Sequence, residues 1–417
     1  MIRVKFLGKY KSVRNMLVVL AMFICTNGCR EIDQIEKLAE QVFAQAQYGL
    51  GVMYDNGYGV KQDCKKAYNW FKKSAEQGNA DAQNNLGAMY HEGKGVEQNY
   101  KEAINWYKKS AEQGNAWAQY NLGLMYHEGK GVEQNYKEAI NWFKKSAEQG
   151  NADAQNGLGA MYHEGKGVEQ NYKEAINWYK KSAEQGNAWA QYNLGLMYRD
   201  GEGVKQDYKE AINWFKKSAE QGFAKAQYNL GVMYCEGKGV EQNYKEAINW
   251  FKKSAEQGDA KAQYNLGVMY RDGEGVKQDY KEAINWYKKS AEQGNAWAQN
   301  GLGAMYHDGE GVKQDYKEAI NWFKKSAEQG DAKAQYNLGA MYREGKGVKQ
   351  DYKEAINWLK KSAEQGNAWA QNGLGAMYHE GEGVKQDYKE AINWFKKSAE
   401  QGHSGAKTAL TEIFEGK

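Results

Sequence analysis

Proline is absent from this sequence of 417 residues, and cysteine occurs only four times. Without proline, no residue has a φ angle fixed by a ring, so turns and helix ends fall to the 48 glycines. Four cysteines are too few for a disulfide framework in a chain of this length, so we expect Cys64 and Cys235 to be unpaired. The absence of proline favours a helical protein whose turns are formed by glycine.

A strong net charge is also lacking. The formal charge is +4, but five lysines and arginines lie in the first 28 residues, which hold no acid. Subtracting these five leaves about −1 for the remainder, where lysine and glutamate are interleaved. A nucleic-acid-binding protein needs a basic patch or stripe, so we exclude nucleic acid as a partner.

Residues 1–28 have the pattern of an export signal. A basic stretch precedes the apolar run MLVVLAMFIC (Met16 to Cys25), which is too short to span a bilayer, and small polar residues follow it. We therefore expect no transmembrane span in the mature chain and a periplasmic or extracellular location. Two alternatives stay open for TNGC: cleavage by signal peptidase before Cys29, or lipid attachment to Cys29 as a lipoprotein.

The rest of the chain repeats with a period of 36 residues from Ala44 to His403, which makes ten units. In the unit ADAQNNLGAMYHEGKGVEQNYKEAINWYKKSAEQGN, Ala82, Leu86 and Met89 share one face of a first helix, named helix A. The second half, named helix B, has the same spacing of apolar residues. Residues 29–43 predict an N-terminal capping half-repeat helix, and residues 404–417 predict a C-terminal capping helix.

The helix ends have chemical causes. Gly93 can take the left-handed conformation that ends helix A, and Asn99 is a suitable N-cap for helix B, with Glu102 completing a capping box. Asn115 caps the next helix A. Connections this short make consecutive helices antiparallel. Two oppositely ordered loop types, GKGVEQN and GEGVKQD, predict local ion pairs between their lysine and glutamate.

Gly123 lies inside helix A, where a glycine destabilises the helix by roughly 0.5–1 kcal/mol relative to alanine. It directly follows the core residue Leu122. We predict that the missing Cβ lets the ring of Trp142 or Phe143 lie against the helix backbone. Its equivalents recur through the array.

The segment AQYNLGLMYRDGEGVKQDYKEAINWFKKSAEQG (Ala190 to Gly222) resembles the Sel-like repeat, a relative of the tetratricopeptide repeat. The resemblance covers the ten repeats. It implies an all-α fold, a right-handed α-solenoid of antiparallel helix pairs with helix A on the concave side. It also implies an adaptor or scaffold function, often in exported or membrane-associated bacterial proteins.

The repeats differ mainly on one stripe of helix A, with spacing i, i+3, i+7, i+10, which we expect opposite the core. Its tryptophan, tyrosine, arginine and histidine side chains are typical of protein-binding surfaces. The candidate partner-binding residues are Trp117, Tyr120, His127, Trp189, Tyr192, Arg199, Tyr264, Arg271, Trp297, Tyr336, Arg343 and Trp369. The alternative is that each tryptophan packs against the preceding repeat's helix B or its turn and stiffens the stack.

No catalytic motif and no cofactor fingerprint is present, so we expect a non-enzymatic protein without a cofactor. His91, His127 and His163 recur at one position, but helix layers about 10 Å apart keep them from sharing one zinc ion. We expect a monomeric scaffold that binds one or more proteins. One alternative is a cell-wall-directed ligand binder or a β-lactamase-like enzyme, as some cysteine-rich relatives are labelled, although those carry paired cysteines in each repeat. The other is a secreted effector scaffold directed at a host cell.

Overall fold

The computed structural model describes residues 43–415. Within this range the chain forms twenty-one α-helices and no β-strand. The predicted export signal, residues 1–28, lies outside the described residues, as do residues 29–42 of the predicted N-terminal cap. The paired helices recur every 36 residues, which confirms the all-α fold class and the α-solenoid of helix pairs. No helix in the described part has the length and apolar character needed to cross a membrane.

The described residues form two compact units, which divide between Gln206 and Asp207. Unit 1 contains α1 Ala44–Asn56, α2 Cys64–Glu76, α3 Ala80–Glu92, α4 Tyr100–Glu112, α5 Ala116–Glu128, α6 Tyr136–Glu148, α7 Ala152–Glu164, α8 Tyr172–Glu184 and α9 Ala188–Asp200. Unit 2 contains α10 Tyr208–Glu220, α11 Ala224–Glu236, α12 Tyr244–Glu256, α13 Ala260–Asp272, α14 Tyr280–Glu292, α15 Ala296–Asp308, α16 Tyr316–Glu328, α17 Ala332–Glu344, α18 Tyr352–Glu364, α19 Ala368–Glu380, α20 Tyr388–Glu400 and α21 Ser404–Glu415. Odd-numbered helices from α1 to α19 are helices A, and even-numbered helices are helices B.

The predicted caps hold most of the helix ends. Gly93 has φ of 71° and ends α3, and the Asn115 side chain accepts the Ala118 N–H at 2.9 Å at the start of α5. At the start of α4 the Asn99 side chain accepts the Glu102 N–H at 3.1 Å. A capping box also needs the Glu102 side chain to accept the Asn99 N–H. In the structure that N–H donates instead to the Tyr90 carbonyl, at 2.8 Å.

The core of each repeat lies between its own two helices and the next helix A. In the third repeat Leu122, on α5, and Phe143, on α6, are both fully or almost fully buried. A Cβ placed on Gly123 would lie 2.7 Å from Phe143 Cδ1, so the ring rests on the bare helix backbone. The sequence predicted contact of Gly123 with the ring of either Trp142 or Phe143, and in the structure the contact is with Phe143.

A buried glutamine in helix A ties consecutive repeats together. Gln83 Nε2 donates to the Ala75 carbonyl of the preceding helix B at 3.1 Å, and Gln83 Oε1 accepts from Gln113 Nε2 at 2.7 Å. Ser110, also fully buried, donates its hydroxyl to the Ala80 carbonyl at 2.6 Å. The same bonds recur in other repeats. They give the buried side-chain amide and hydroxyl groups hydrogen-bond partners in the packed interior.

The predicted loop ion pairs form with other partners. Lys130 pairs with Glu128, at 2.7 Å, rather than with Glu133. Glu202 contacts His163 of the preceding repeat, with 2.8 Å between Oε2 and Nε2. Both partners lie near the end of a helix A, Glu128 on α5 and His163 on α7.

At the C-terminal end, α21 lies within the segment predicted to cap the array. Ala406 is buried against Ala391 and Phe395, and Leu410 and Ile413 pack around them. A single helix therefore covers the core surface that α20 leaves open.

Candidate partner-binding surface

The second residue of each helix A, called position two below, is among the most varied points of the array. It follows an invariant first alanine and lies in the first helical turn, beside the connection from the preceding helix B. In unit 1 the five residues are Gln45, Asp81, Trp117, Asp153 and Trp189. In unit 2 they are Lys225, Lys261, Trp297, Lys333 and Trp369.

The four position-two tryptophans are exposed. The exposed fraction is 44% for Trp117, 51% for Trp189, 56% for Trp297 and 61% for Trp369. The ten remaining tryptophans of the described residues all lie on helix B and are buried or half-buried. Large exposed apolar side chains at one repeated position are a feature of interaction surfaces rather than of cores.

Three of these tryptophan rings contact one neighbouring ring while keeping their exposure. Trp117 meets Tyr120 of its own helix edge-on, with ring centroids 6.3 Å apart. Trp297 lies 5.9 Å from Tyr264, and Trp369 lies 4.3 Å from His403. Tyr264, the ring neighbour of Trp297, is on the preceding helix A.

The tyrosines three residues further along are half-buried and face the core, so the expectation that the whole stripe lies opposite the core is wrong for them. Tyr120 packs on Phe143 with ring centroids 5.8 Å apart. Tyr264 packs on a helix-B ring in the same way, Tyr336 lies against the α18 core, and Tyr192 is also half-buried. Burial raises the pKa of Tyr120 to about 12, so its hydroxyl stays protonated at neutral pH.

The histidines and arginines at the far end of the stripe are engaged within the chain. His127 lies against the Tyr136 ring, with centroids 5.3 Å apart. Arg343 Nε lies 2.7 Å from Glu382 and its Nη2 lies 2.8 Å from Glu380, which joins two repeats. Two further arginines pair with the next residue in the sequence; they are Arg199, with Asp200, and Arg271, with Asp272.

The charge at position two changes sign between the units. This difference is present in the sequence, but the predicted site residues do not include it. Asp81 is half-buried and accepts from the Asn115 amide at 2.9 Å, and Asp153 accepts from the Asn187 amide at 2.7 Å. Burial raises the pKa of the Asp81 carboxyl. Lys261 and Lys333 occupy the equivalent sites in unit 2 with exposed side chains. Comparison of this single column of residues would have found the difference.

A shallow depression of about 480 Å³ lies beside Trp297, where α15 and α17 begin. It is lined by Asn295, Ala296, Trp297, Gln329, Gly330, Asp331, Ala332 and Gln365. A second depression, of about 580 Å³, lies beside the loop that precedes α16. Residues 43–415 contain no group of three or more histidine, cysteine or acidic side chains placed to hold a metal ion. The surface can therefore accommodate single side chains of a partner at several repeats.

Thirteen-residue helices, paired and repeated with glycine turns, define a helical-repeat α-solenoid protein. The family model described as the Sel1 repeat matches most of the chain, so the chain belongs to the Sel1 repeat family. The matched ranges are 44–79, 80–115, 118–151, 152–187, 190–223, 224–259, 260–295, 298–331, 332–367 and 370–403. In each of the four tryptophan-bearing repeats the match begins just after the tryptophan, so those four residues lie outside it.

Two solved structures are similar over much of the chain. A protective antigen of uropathogenic Escherichia coli that displays an SLR fold is 43% identical, with a TM-score of 0.84, and the match covers 93% of this chain and 82% of that one. A Sel1 repeat protein from Oxalobacter formigenes is 35% identical, with a TM-score of 0.56, covering 74% of this chain and 89% of that one. No curated protein matches the sequence significantly. Sel1 repeat proteins are generally protein-interaction scaffolds.

Proposed function

We propose that this chain is a non-catalytic scaffold that binds one or more proteins along its helix-A surface. The observation that carries the proposal is the set of four exposed tryptophans, Trp117, Trp189, Trp297 and Trp369, at one position of otherwise similar repeats. Covering the exposed half of one tryptophan, on the order of 100 Å², would contribute about 2.5 kcal/mol to binding. Tryptophans that become buried when a partner binds are frequent hot spots of protein interfaces.

Two features support binding rather than packing as the reason for these tryptophans. Six of the ten repeats form the same helix pair with glutamine, aspartate or lysine at this position, so the helix pair does not require a tryptophan there. The ring contacts of Trp297 and Trp369 hold their orientation without covering them. A ring that is already ordered loses less conformational entropy when a partner covers it.

The export signal seen in the sequence supports a location outside the cytoplasmic membrane, in the periplasm or outside the cell. Under this proposal Cys29 is the first residue of the mature chain, and it either carries a lipid or has a free N-terminus. Incorporation of labelled palmitate, compared with a Cys29→Ser variant, distinguishes the two. Label that stays after the substitution would contradict attachment at Cys29.

The cell-wall-directed alternative has no support in the residues. Cysteines paired within each repeat mark the relatives that suggested it, whereas Cys64 and Cys235, the cysteines among the described residues, are both free. Hydrolysis of nitrocefin by the purified protein would contradict the non-catalytic proposal. A host-directed effector would use the same binding surface, and only its destination would differ.

The scaffold proposal is tested by capture of binding proteins from the cell envelope and the culture medium. We expect Trp117→Ala with Trp189→Ala to lose the captured protein while its unfolding midpoint stays unchanged. The matched control is Lys137→Ala with Lys209→Ala, which removes exposed helix-B side chains from the same two repeats. Equal capture by both variants would overturn the proposal, and so would loss of capture together with loss of folding.

A further inference from the structure

The geometry points to an acidic, extended protein segment as the ligand of unit 2, with apolar or aromatic side chains between its carboxylates. This inference rests on the proposed scaffold function and adds the chemistry of the partner. Its basis is the order of position-two residues along α13, α15, α17 and α19. That order is Lys261, Trp297, Lys333, Trp369.

The two lysines present unneutralised charge. Lys261 and Lys333 are exposed, and no carboxylate of the described residues lies within 4 Å of either ammonium group. The acids that begin the same two helices are N-caps: Asp259 accepts the Ala262 N–H, and Asp331 accepts the Ala334 N–H. These lysines therefore remain available to carboxylates of another molecule.

Other cations of the same helices differ in this respect. Arg271, on α13, lies 2.7 Å from Asp272, and Arg343, on α17, bridges two glutamates of the next repeat. Their charges are balanced within the chain. On α13 and α17 the positive charge open to a partner therefore lies at position two, in the same row as Trp297 and Trp369.

Unit 1 provides an internal comparison. Its tryptophans, Trp117 and Trp189, have the same alternate-repeat spacing as those of unit 2, but the residue between them is Asp153. Residues with the same helix context therefore differ in charge sign. Asp153 attracts positively charged groups of a partner, whereas Lys333 attracts negatively charged groups. The two units therefore prefer different partners, because charge at an interface governs specificity and association rate.

The spacing of the row suits an extended chain. Consecutive helices A lie about 10 Å apart, and an extended segment rises about 3.3 Å per residue, so one repeat corresponds to about three residues. A matching segment carries an acid, an aromatic residue three positions later, and then the same pair again. The depression beside Trp297 accommodates part of the first aromatic side chain.

The test uses fluorescein-labelled peptides and the full-length protein, with binding measured by fluorescence anisotropy. The probe is DSSWSSDSSW, and the matched peptides are KSSWSSKSSW and a scrambled sequence with the composition of the probe. We expect the acidic probe to bind at least about tenfold more tightly than either matched peptide. We also expect its affinity to fall as salt rises.

The decisive variant is Lys261→Glu with Lys333→Glu, which should weaken binding of the acidic probe about tenfold or more. Its control, Lys281→Glu with Lys353→Glu, makes the same change of net charge on exposed helix-B residues of the same two repeats. We expect the control to bind the probe like the wild type. Equal weakening by both variants, or equal binding of acidic and basic peptides, would overturn the inference.

A second copy of the chain is the competing occupant, since Asp81 and Asp153 of unit 1 carry the opposite charge. Sedimentation velocity across a concentration series distinguishes it. A dimer that disappears in the Lys261→Glu, Lys333→Glu variant would overturn the peptide assignment. If capture depends on Trp117 and Trp189 but no acidic peptide binds, the scaffold function stands and this inference falls.

Discussion

The ring of Phe143 occupies the space that a side chain at Gly123 would need. A Cβ at Gly123 would lie 2.7 Å from Cδ1 of the ring, closer than packed carbon atoms approach. Gly157, on the next helix A, faces the same ring, but a Cβ there would lie 3.6 Å away, an ordinary contact distance. One aromatic ring thus has a tight glycine neighbour and a tolerant one.

This pair gives a prediction with its own control. We expect Gly123→Ala to lower the free energy of unfolding by about 1–2 kcal/mol, because overpacking outweighs the gain in helix propensity. Gly157→Ala should raise it by about 0.5–1 kcal/mol, because only the gain remains. Urea unfolding followed by circular dichroism measures both. The account of the glycine fails if the two substitutions shift the midpoint in the same direction by similar amounts.

The glutamine that links repeats is also open to test. We expect Gln83→Leu to destabilise the array by about 1–3 kcal/mol, since it removes the partner of Gln113 and the donor to the Ala75 carbonyl. Gln98 is the control, because its exposed loop side chain donates to the His91 carbonyl near the end of α3. Thermal unfolding should show a clear shift for Gln83→Leu and little change for Gln98→Leu. Equal shifts for the two substitutions would contradict the claim that burial makes the Gln83 hydrogen bonds important for stability.

Cys235 provides a prediction of pH dependence. Burial raises the pKa of its thiol to about 11, with a smaller contribution from nearby glutamates. In a variant that keeps Cys235 as its sole cysteine, alkylation by iodoacetamide should still be accelerating at pH 10, because the thiolate is the reactive form. The raised pKa also means that this thiol stabilises the fold below its ordinary pKa and loses that contribution as pH rises through 11.

Unfolding the same variant in urea supplies the control for this titration. The alkylation midpoint should fall to the ordinary cysteine value, near 8.5. An identical midpoint in folded and unfolded protein would show that burial has no effect on the thiol.

The sequence predicts the repeat, the helix pairs and many helix ends because these depend on local chemistry. Gly93 ends a helix in the left-handed conformation that glycine favours, and the Asn115 side chain caps the start of the next helix A, as asparagine often does. Phe143 and Trp142 are adjacent on helix B, so periodicity alone could not choose the ring that meets Gly123. That choice depends on how two helices pack, which is a tertiary property.

The candidate surface was only partly predictable for a related reason. A helix in a solenoid packs on more than one neighbour, so Tyr120, three residues after the exposed Trp117, still packs on Phe143 of the next helix. Arg343 has charged partners in the next repeat, which no pattern within one repeat reveals. The contact of His127 with the Tyr136 ring depends on how the two helices of its repeat pack. The exposure of the four tryptophans required the structure, whereas the sign change between Asp153 and Lys333 did not.

Site-specific photo-crosslinking to the captured partner tests the central claim most directly. Benzoylphenylalanine replaces Trp117, Trp189, Trp297 or Trp369, one at a time, and in the control set it replaces an exposed helix-B lysine of the same repeat. These control lysines are Lys137, Lys209, Lys317 and Lys389. We predict covalent adducts with the partner from the tryptophan positions and none from the lysine positions. Adducts confined to the lysine positions would contradict the claim that partners bind the helix-A surface.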